Sequence, residues 1–473
     1  MELTANKGEE LIRLANDLRW EMGESFHDSL MEAIYEDASK IASKTVTKPA
    51  VKPKFDVDKT VDKLVTSKWF GFPLMFVMLA VVFWITVQGA NYPSSLLSQL
   101  LLDDLHPVLK NLSASIALPN WLDGLLIDGA YLAMAWVISV MLPPMAIFFP
   151  LFTLLEDFGY LPRVAFNMDG LFRRAGAHGK QALTMSMGFG CNAAGVIAAR
   201  VIDSPRERLI AIITNNFSLC NGRWPTQILI ASIFIGALVP AEIAGLVSAA
   251  AVVAVAILGI FFSLVVSWGL SKSLLKGEAS AFSLELPPYR PPRILQTLYT
   301  SLIDRTIFVL WRALVFAVPS GMVIWLVANV HIGNLSLAEH FIQWVNPFAV
   351  LLGLNGVILL AYIIAIPANE IVIPTIMMLT VMSANLMGVG SGTGVMFQLD
   401  SAVATKEILI MGGWTTLTGI NLMLFSLLHN PCSTTLYTIY KETKSIKWTI
   451  ISALLPIIMG FTICFIIAQL WSM

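Results

Sequence analysis

The chain has 473 residues, 56% hydrophobic and only 13% charged, with a formal net charge of −1 and a mean hydropathy of +0.74. Soluble domains average about 45–50% apolar and about 25% charged residues, so an ordinary soluble enzyme or binding module is excluded. Nearly uncharged runs of about 18 residues or more recur, which predicts an all-α polytopic membrane protein.

In chain order, residues 1–67 are charged and polar, with no signal-peptide pattern. Leu11, Leu14, Leu18, Phe26, Leu30, Ile34 and Ile41 recur at helical spacing. A Lys/Pro-rich linker follows at 44–56. This region is read as a cytoplasmic helical stalk. A transmembrane region is expected over 68–270, a cytoplasmic loop over 271–305 and a second transmembrane region over 306–473. The apolar stretches are 69–89, 125–151, 225–237, 241–269, 306–330, 355–381, 414–430 and 448–471, which gives about eight spans. Lys and Arg cluster around 59–68, 163–208, 272–293 and 441–447, whereas 90–124 and 331–354 are nearly free of them. The positive-inside rule then places the N-terminus in the cytoplasm. Gly176–Gln181 lacks the spacing of a phosphate-binding loop, Gly388–Gly394 reads as a flexible loop, and no His-Glu-x-x-His motif occurs, so no enzyme is expected. Four cysteines without close pairing are no disulfide framework.

Two motifs place a cysteine at a helix-breaking point in matching surroundings: Gly-Phe-Gly-Cys-Asn at 188–192 and Asn-Pro-Cys-Ser at 430–433. Cys191 precedes Arg200 by nine residues, and Cys432 precedes Lys441 by nine. The charge pattern puts both flanks of Cys191 on the cytoplasmic side, so its segment dips in and returns as a re-entrant or broken helix. Gly188 and Gly190 permit a sharp turn there. A helix is expected to start at Cys191, and a second at Ser204 (cap) and Pro205. In the other motif Asn430 is the expected cap and Pro431 the first helical residue. Both cysteines then lie at helix N-termini, where thiolate is favoured. Thiolates suit Fe(II) better than Mg or Ca, and Asn192, Ser433, Thr434 and Thr435 offer oxygens. The competing reading is that these are small residues for close helix packing. Spacing does not decide between them.

Acidic residues in apolar runs are the second signal, because a charge at that depth is costly. Glu156 and Asp157 end such a run; they are either part of an ion path or a surface pair with Arg163. Glu370 lies between Pro367 and Pro374, which are expected to kink its helix. Cys220 sits among Asn215, Asn216, Ser218, Asn221 and Arg223, a set that either lines a hydrated path or ties helices together. Cys464 reads as packing. Met185 and Met187 are minor thioether candidates.

These residues resemble the membrane half of the bacterial ferrous iron transport protein B family. Leu-Glu-Asp-Phe-Gly-Tyr-Leu-Pro-Arg at 155–163 is similar to the family's Leu-Glu-Asp-Ser-Gly-Tyr-Met-Ala-Arg. Gly188–Asn192 is similar to its first gate motif, and Pro431–Thr435 with Lys441-Glu442 to its second. Ser204–Leu209, Phe217–Cys220, Lys276–Glu278 and Glu285–Arg290 match the stretches between. The resemblance implies two gate-type repeats, one in each transmembrane region. It implies a permease subunit for Fe(II) in the bacterial inner membrane, with Fe(II) as transported ion and no permanently bound cofactor. Cys191, Cys432, Asn192, Glu370, Glu156, Asp157, Cys220 and Ser433 are the candidate metal-contacting residues. The expected partners are the lipid bilayer, a separate GTPase subunit, a small accessory iron-transport protein and further copies of the chain; no nucleic acid is expected. The family's GTPase domain is not found here; only Leu18–Lys44 is similar to the end of that region. Asn369 stands where the family has Lys, which leaves Glu370 without its usual neighbour, and Ser-Thr-Thr replaces Ala-Thr at the second gate. Mn(II) or another divalent ion, a nucleoside or small-solute cargo, and a non-transporting anchor are the alternatives. Charge bias favours parallel gates, although one extra span would invert them.

Overall fold

The computed structural model describes residues 26–45, 57–67, 69–276, 293–384, 386, 394–399 and 402–472. The start of the expected stalk helix, linker residues 46–56, residues 277–292 of the expected 271–305 loop and the Gly388–Gly392 segment lie outside the described residues. Ahead of the membrane region stand α1 (Phe26–Thr45) and α2 (Val57–Val65). Arg163, buried at 1% exposure, pairs with Asp62 of α2 (Nε–Oδ1 2.8 Å). Asn167 Nδ2 donates to the Val65 carbonyl at 2.7 Å. The short α2 is therefore clasped onto the helix that carries Arg163 and Asn167.

Among the described residues, five helices are long and apolar enough to cross a bilayer. They are α3 (Gly71–Ser115), α4 (Asn120–Asp157), α10 (Ala241–Lys272), α11 (Ile294–Asn329) and α18 (Ile446–Ser472). Between α4 and α10 lie α5 (Tyr160–Arg174), α6 (Gln181–Gly190), α7 (Asn192–Ala198), α8 (Pro205–Thr214) and α9 (Trp224–Ile230). Between α11 and α18 lie a two-residue antiparallel hairpin, α12 (Leu337–Leu351), α13 (Gly356–Ile364), α14 (Val372–Ser383), α15 (Ala402–Met411), α16 (Thr416–Leu428) and α17 (Ser433–Thr443). Two bent pairs, 112° between α12 and α13 and 105° between α15 and the α16–α17 unit, raise the possible spans to seven.

Among the described residues the expected count of about eight spans is not confirmed, for three local reasons. The 69–89 stretch does not end but runs on to Ser115. The 225–237 stretch is only the seven-residue α9 followed by a π-turn at Ala231–Ile235. The 355–381 stretch is interrupted at 365–368. There Pro367 sits in the break and Pro374 in the first turn of α14, so the two prolines delimit a broken helix instead of kinking a continuous one.

The breaks recur in order. In the first half the chain is extended at Cys191 (φ −155°, ψ 123°), before α7, and again at Cys220 (φ −77°, ψ 165°), before the turn leading into α9. In the second half it is extended at Ala368 (φ −148°, ψ 115°), before the turn leading into α14, and at Cys432 (φ −61°, ψ 158°), before α17. Conformation therefore pairs Cys191 with Ala368 and Cys220 with Cys432, not Cys191 with Cys432 as their sequence surroundings suggest.

The directions of these segments fix the relation of the halves. Helices α7 and α17 pack together and end at one ion pair, Arg200 Nη2 to Glu442 Oε1 at 2.6 Å. The segment beginning at α9 ends where Phe234 stacks on Trp414 (6.3 Å), and α14 reaches Thr380 against Gly412. These two ends are separated by the unit Thr416–Thr443, whose two helices of 13 and 11 residues alone span about 36 Å at about 1.5 Å per residue. First-break helix α7 and its counterpart α14 thus run to opposite sides, as do α9 and α17. The halves are inverted, which corrects the parallel arrangement favoured by charge bias.

Candidate ion-translocation site

All four breaks open on one narrow cavity, about 30 Å³ of it reachable by the centre of a water-sized molecule, which is room for roughly one or two waters. Cys191, Asn192, Cys220, Glu370 and Cys432 line it together with Thr434 and Thr435. Of the expected metal-contacting residues, these five are brought together. Ser433 does not line it; its backbone N–H bonds the Ile366 carbonyl at 3.1 Å and ties the Cys432 break to the Glu370 break. Glu156 and Asp157 are exposed at the C-terminal end of α4, where Asp157 accepts from Thr297 at 2.6 Å, away from the cavity. Among the described residues, no three His, Cys, Asp or Glu side chains form a cage for a resident metal.

The helix starts differ in detail from expectation. Cys191 occupies the N-cap position of α7 without a side-chain cap hydrogen bond, whereas the Ser204 hydroxyl caps α8 with Pro205 following, as those residue types predict. In the second gate Cys432 itself holds the N-cap position and Ser433 is the first helical residue, so Asn430 and Pro431 belong to the extended approach. Gly188 and Gly190 lie inside α6, not in a turn. Their role is close approach: a Cβ at Gly190 would fall on the Phe148 ring, and one at Gly188 on the Asn215 amide. Asn192 is tied down, its amide in the satisfied orientation donating to the carbonyls of Gly188 (3.0 Å) and Ser218 (3.2 Å).

Glu370 lies over the turn that follows Cys220, so close that a Cβ on Gly222 would overlap its carboxylate. Asn369 is buried and makes neutral contacts, its Nδ2 to Cys220 Sγ (3.9 Å) and its Oδ1 to His429 Nε2 (3.2 Å). Cys432 Sγ is 3.2 Å from Thr435 Oγ1. The polar set around Cys220 divides between the two roles left open for it. Cys220 and Asn221 line the cavity, whereas Arg223 is 1% exposed and serves as a tie. Arg223 Nη1 donates to the carbonyls of Asn216 (3.2 Å) and Leu427 (3.0 Å), and Nη2 to those of His429 (3.3 Å) and Asn430 (3.1 Å). A guanidinium fork thereby satisfies the carbonyls left over where α16 ends.

Of the thioether candidates, Met185 instead accepts from Ser263 (3.4 Å). Met141 and Met145 of α4 line the cavity; their spacing of four, beside Pro143 and Pro144, was the signal available for them. His429 also escaped notice, although a histidine inside an apolar run is itself such a signal. Cys464 is fully buried, with its thiol 3.5 Å from the Asn421 carbonyl, in keeping with packing.

The gate model described as nucleoside recognition matches residues 138–234 and again 310–446, one match per half. The model described as ferrous iron transport protein B C terminus matches 252–304. Among curated relatives, the Fe(2+) transporter FeoB of Staphylococcus aureus (strain MSSA476) is 29% identical over 86% of this chain and 58% of its own length. That of Synechocystis sp. is 30% identical over 85% of this chain and 61% of its own. A Fe(2+) transport protein A/Fe(2+) transporter FeoB fusion protein of Porphyromonas gingivalis is 32% identical over 49% of this chain and 26% of its own length. The chain thus spans about 58% of the length of the first curated relatives. No solved structure matches it.

Proposed function

Because the chain belongs, through its gate and C-terminal membrane regions, to the ferrous iron transport protein B family, we propose that this multi-pass bacterial membrane protein is a permease for Fe(II). The single observation that carries the reading is the convergence of three thiols and one carboxylate, from four chain breaks, on one cavity. The set suits a borderline transition metal rather than Mg or Ca. An incomplete, narrow site suits an ion in passage, which must bind well enough to enter and weakly enough to leave.

In this reading Fe(II) sheds most of its water at the cavity mouth and is exchanged among Cys191, Cys220 and Cys432. Glu370 supplies compensating charge, and Asn192, Thr434 and Thr435 supply oxygens. The protein sits in the inner membrane with the N-terminus in the cytoplasm. A separate GTPase and a small accessory iron-transport protein act on it from that side, and the clasp of α2 on Arg163 and Asn167 is the route by which a stalk would reach α5 and α6. A nucleoside cargo, suggested by the gate model's description, is disfavoured by a cavity with room for only roughly one or two waters. Three sulfurs likewise favour Fe(II) over Mn(II).

The test is uptake of radiolabelled Fe(II) into proteoliposomes, with Mn(II) and nucleoside as competitors. The Cys191→Ser, Cys432→Ser double variant is expected to lose uptake. Wild-type uptake by that variant would overturn the thiol relay.

A further inference from the structure

His429 is 1% exposed and does not line the cavity. Its ring is wedged edge-on against Tyr362 (centroids 4.8 Å apart) and beside Phe425 (6.3 Å). Its Nε2 faces Asn369 Oδ1 at 3.2 Å and its Nδ1 faces the Ser426 carbonyl at 3.4 Å; a neutral ring donates to one of the two, and the proton is assigned to the shorter contact. A carboxamide has one accepting and one donating end. With the oxygen of Asn369 taken by the imidazole, the amide nitrogen must point the other way, and it meets Cys220 Sγ at 3.9 Å. The backbone of His429 is fixed in turn, its carbonyl accepting from Asn216 Nδ2 (3.2 Å) and Arg223 Nη2 (3.3 Å). Arg223 lies three residues after Cys220, so the chain of contacts closes on itself: Cys220, Arg223, His429, Asn369, Cys220.

We propose that His429 is the positioning residue for Cys220. Acting through Asn369, it holds an N–H donor on one side of the sulfur and leaves the remaining lone pairs for an ion in the cavity. The proposal deepens the ferrous-ion reading and rests on it. Its physical basis is the general behaviour of metal ligands: a hydrogen-bond partner behind the ligand fixes its orientation, and losing that partner typically costs about 10–100-fold in metal affinity. An N–H donor also gains strength when the sulfur carries charge, so the contact tightens when a metal replaces the thiol proton. A second feature points to a ligand at the same place. Thr434 is 4% exposed and lines the cavity, and its hydroxyl has no hydrogen-bond partner in the protein. It is an oxygen free to meet an ion beside the sulfurs.

The experiment is Co(II) titration of the purified full chain in detergent, followed by the thiolate-to-Co(II) charge-transfer absorption, which reports sulfur ligation without any transport. Wild-type protein is expected to show the band and Cys220→Ser to lose part of it. His429→Ala and Asn369→Leu are each expected to weaken Co(II) binding about 10–100-fold. His429→Gln, whose amide N–H can replace the imidazole donor, is expected to restore binding to within a few-fold of wild type. The glutamine variant also guards against a packing defect in the alanine variant, because packing alone would not distinguish a donor at that position. Wild-type affinity in His429→Ala, or no recovery in His429→Gln, overturns the proposal. If Cys220→Ser keeps the full band while Cys191→Ser or Cys432→Ser loses it, the metal reading stands and the role of His429 falls. No thiolate band in the wild type removes the metal reading itself, and the proposal with it.

Discussion

Replacing Arg223 by lysine keeps the charge and removes the fork. The guanidinium serves four carbonyls, two through Nη1 and two through Nη2. A single ammonium can stand at only one of those two positions. At best it serves the Nη1 pair; of the other two carbonyls, that of His429 keeps Asn216 Nδ2 and that of Asn430 is left without a donor. That loss costs about 1–3 kcal/mol, so Arg223→Lys should loosen the junction of α16, the Cys432 break and the Cys220 turn by about that much. Even the lower bound changes a local opening equilibrium about 5-fold. Cys220 is buried at 8% exposure and lies on that junction, so its reaction with a maleimide reports the opening. In a protein that keeps Cys220 and has the other three cysteines replaced, labelling should accelerate by about 5-fold or more on Arg223→Lys. A rate within about twofold of the parent would mean that the four hydrogen bonds hold nothing that matters to the site, and the tie would be refuted.

Gly222→Ala should abolish Fe(II) uptake in an otherwise folded protein, because the new Cβ overlaps the Glu370 carboxylate; shortening the acid, Gly222→Ala with Glu370→Asp, should recover part of it in the same liposome assay. Arg200→Glu should cost no more than about 1 kcal/mol, since Arg200 is 63% exposed; the exchange Arg200→Glu with Glu442→Arg should return the thermal melting midpoint to that of the parent. In the turn before α6, burial holds His178 below the ordinary imidazole range, and Glu207 and Asp169 offset this only in part. The unfolded chain then takes the proton first, so this contribution to stability is complete above the ordinary value of about 6.5 and is lost as pH falls below it. Melting midpoints should drop between about pH 7.5 and about pH 5.5, and drop less in His178→Asn; an equal drop in both would exclude the histidine as the cause. Asp62→Asn should release α2 from Arg163, read as faster limited proteolysis at 57–67.

Much of the site was legible because it rests on local rules. A Ser-Pro pair starts a helix wherever it falls, and Ser204-Pro205 does. A glycine-flanked cysteine inside an apolar run marks a break, and Cys191 occupies the N-cap position of α7 there. An acid between two prolines in a span is too costly to be idle, and Glu370 reaches the cavity. What was not legible is relational. Nothing in the residue types makes Ala368 the counterpart of Cys191, since the two share only a backbone conformation. Charge bias suggested parallel gates because it scores loops, whereas the direction of a half-helix is set by the side on which its partner lies. Glu156 and Asp157 mislead for a related reason. They end an apolar run as a membrane-embedded acid would, but α4 carries them past the site to an exposed end. Which of its two roles Arg223 takes, and His429 altogether, were hidden because their partners are backbone carbonyls and an amide far along the chain, which no spacing encodes.

The inverted halves bear directly on the proposed ion path. Two inverted copies with identical side chains would offer the same donors from both sides of the membrane. This chain breaks that equivalence. The first half puts sulfur at both of its breaks, Cys191 and Cys220. The second puts sulfur at one, Cys432, and the Asn369-Glu370 pair at the other. An ion passing between the halves therefore exchanges a sulfur-rich face for a mixed face of sulfur and carboxylate. Asn369 sits on the boundary, bonded to Cys220 of the first half and to His429 of the second. A lysine at that position would place a fixed cation beside both Glu370 and the sulfurs; the neutral amide leaves the carboxylate's charge available to the passing ion. Glu370→Gln should therefore depress Fe(II) uptake more strongly than Asn369→Lys, whose ammonium compensates the acid without removing it.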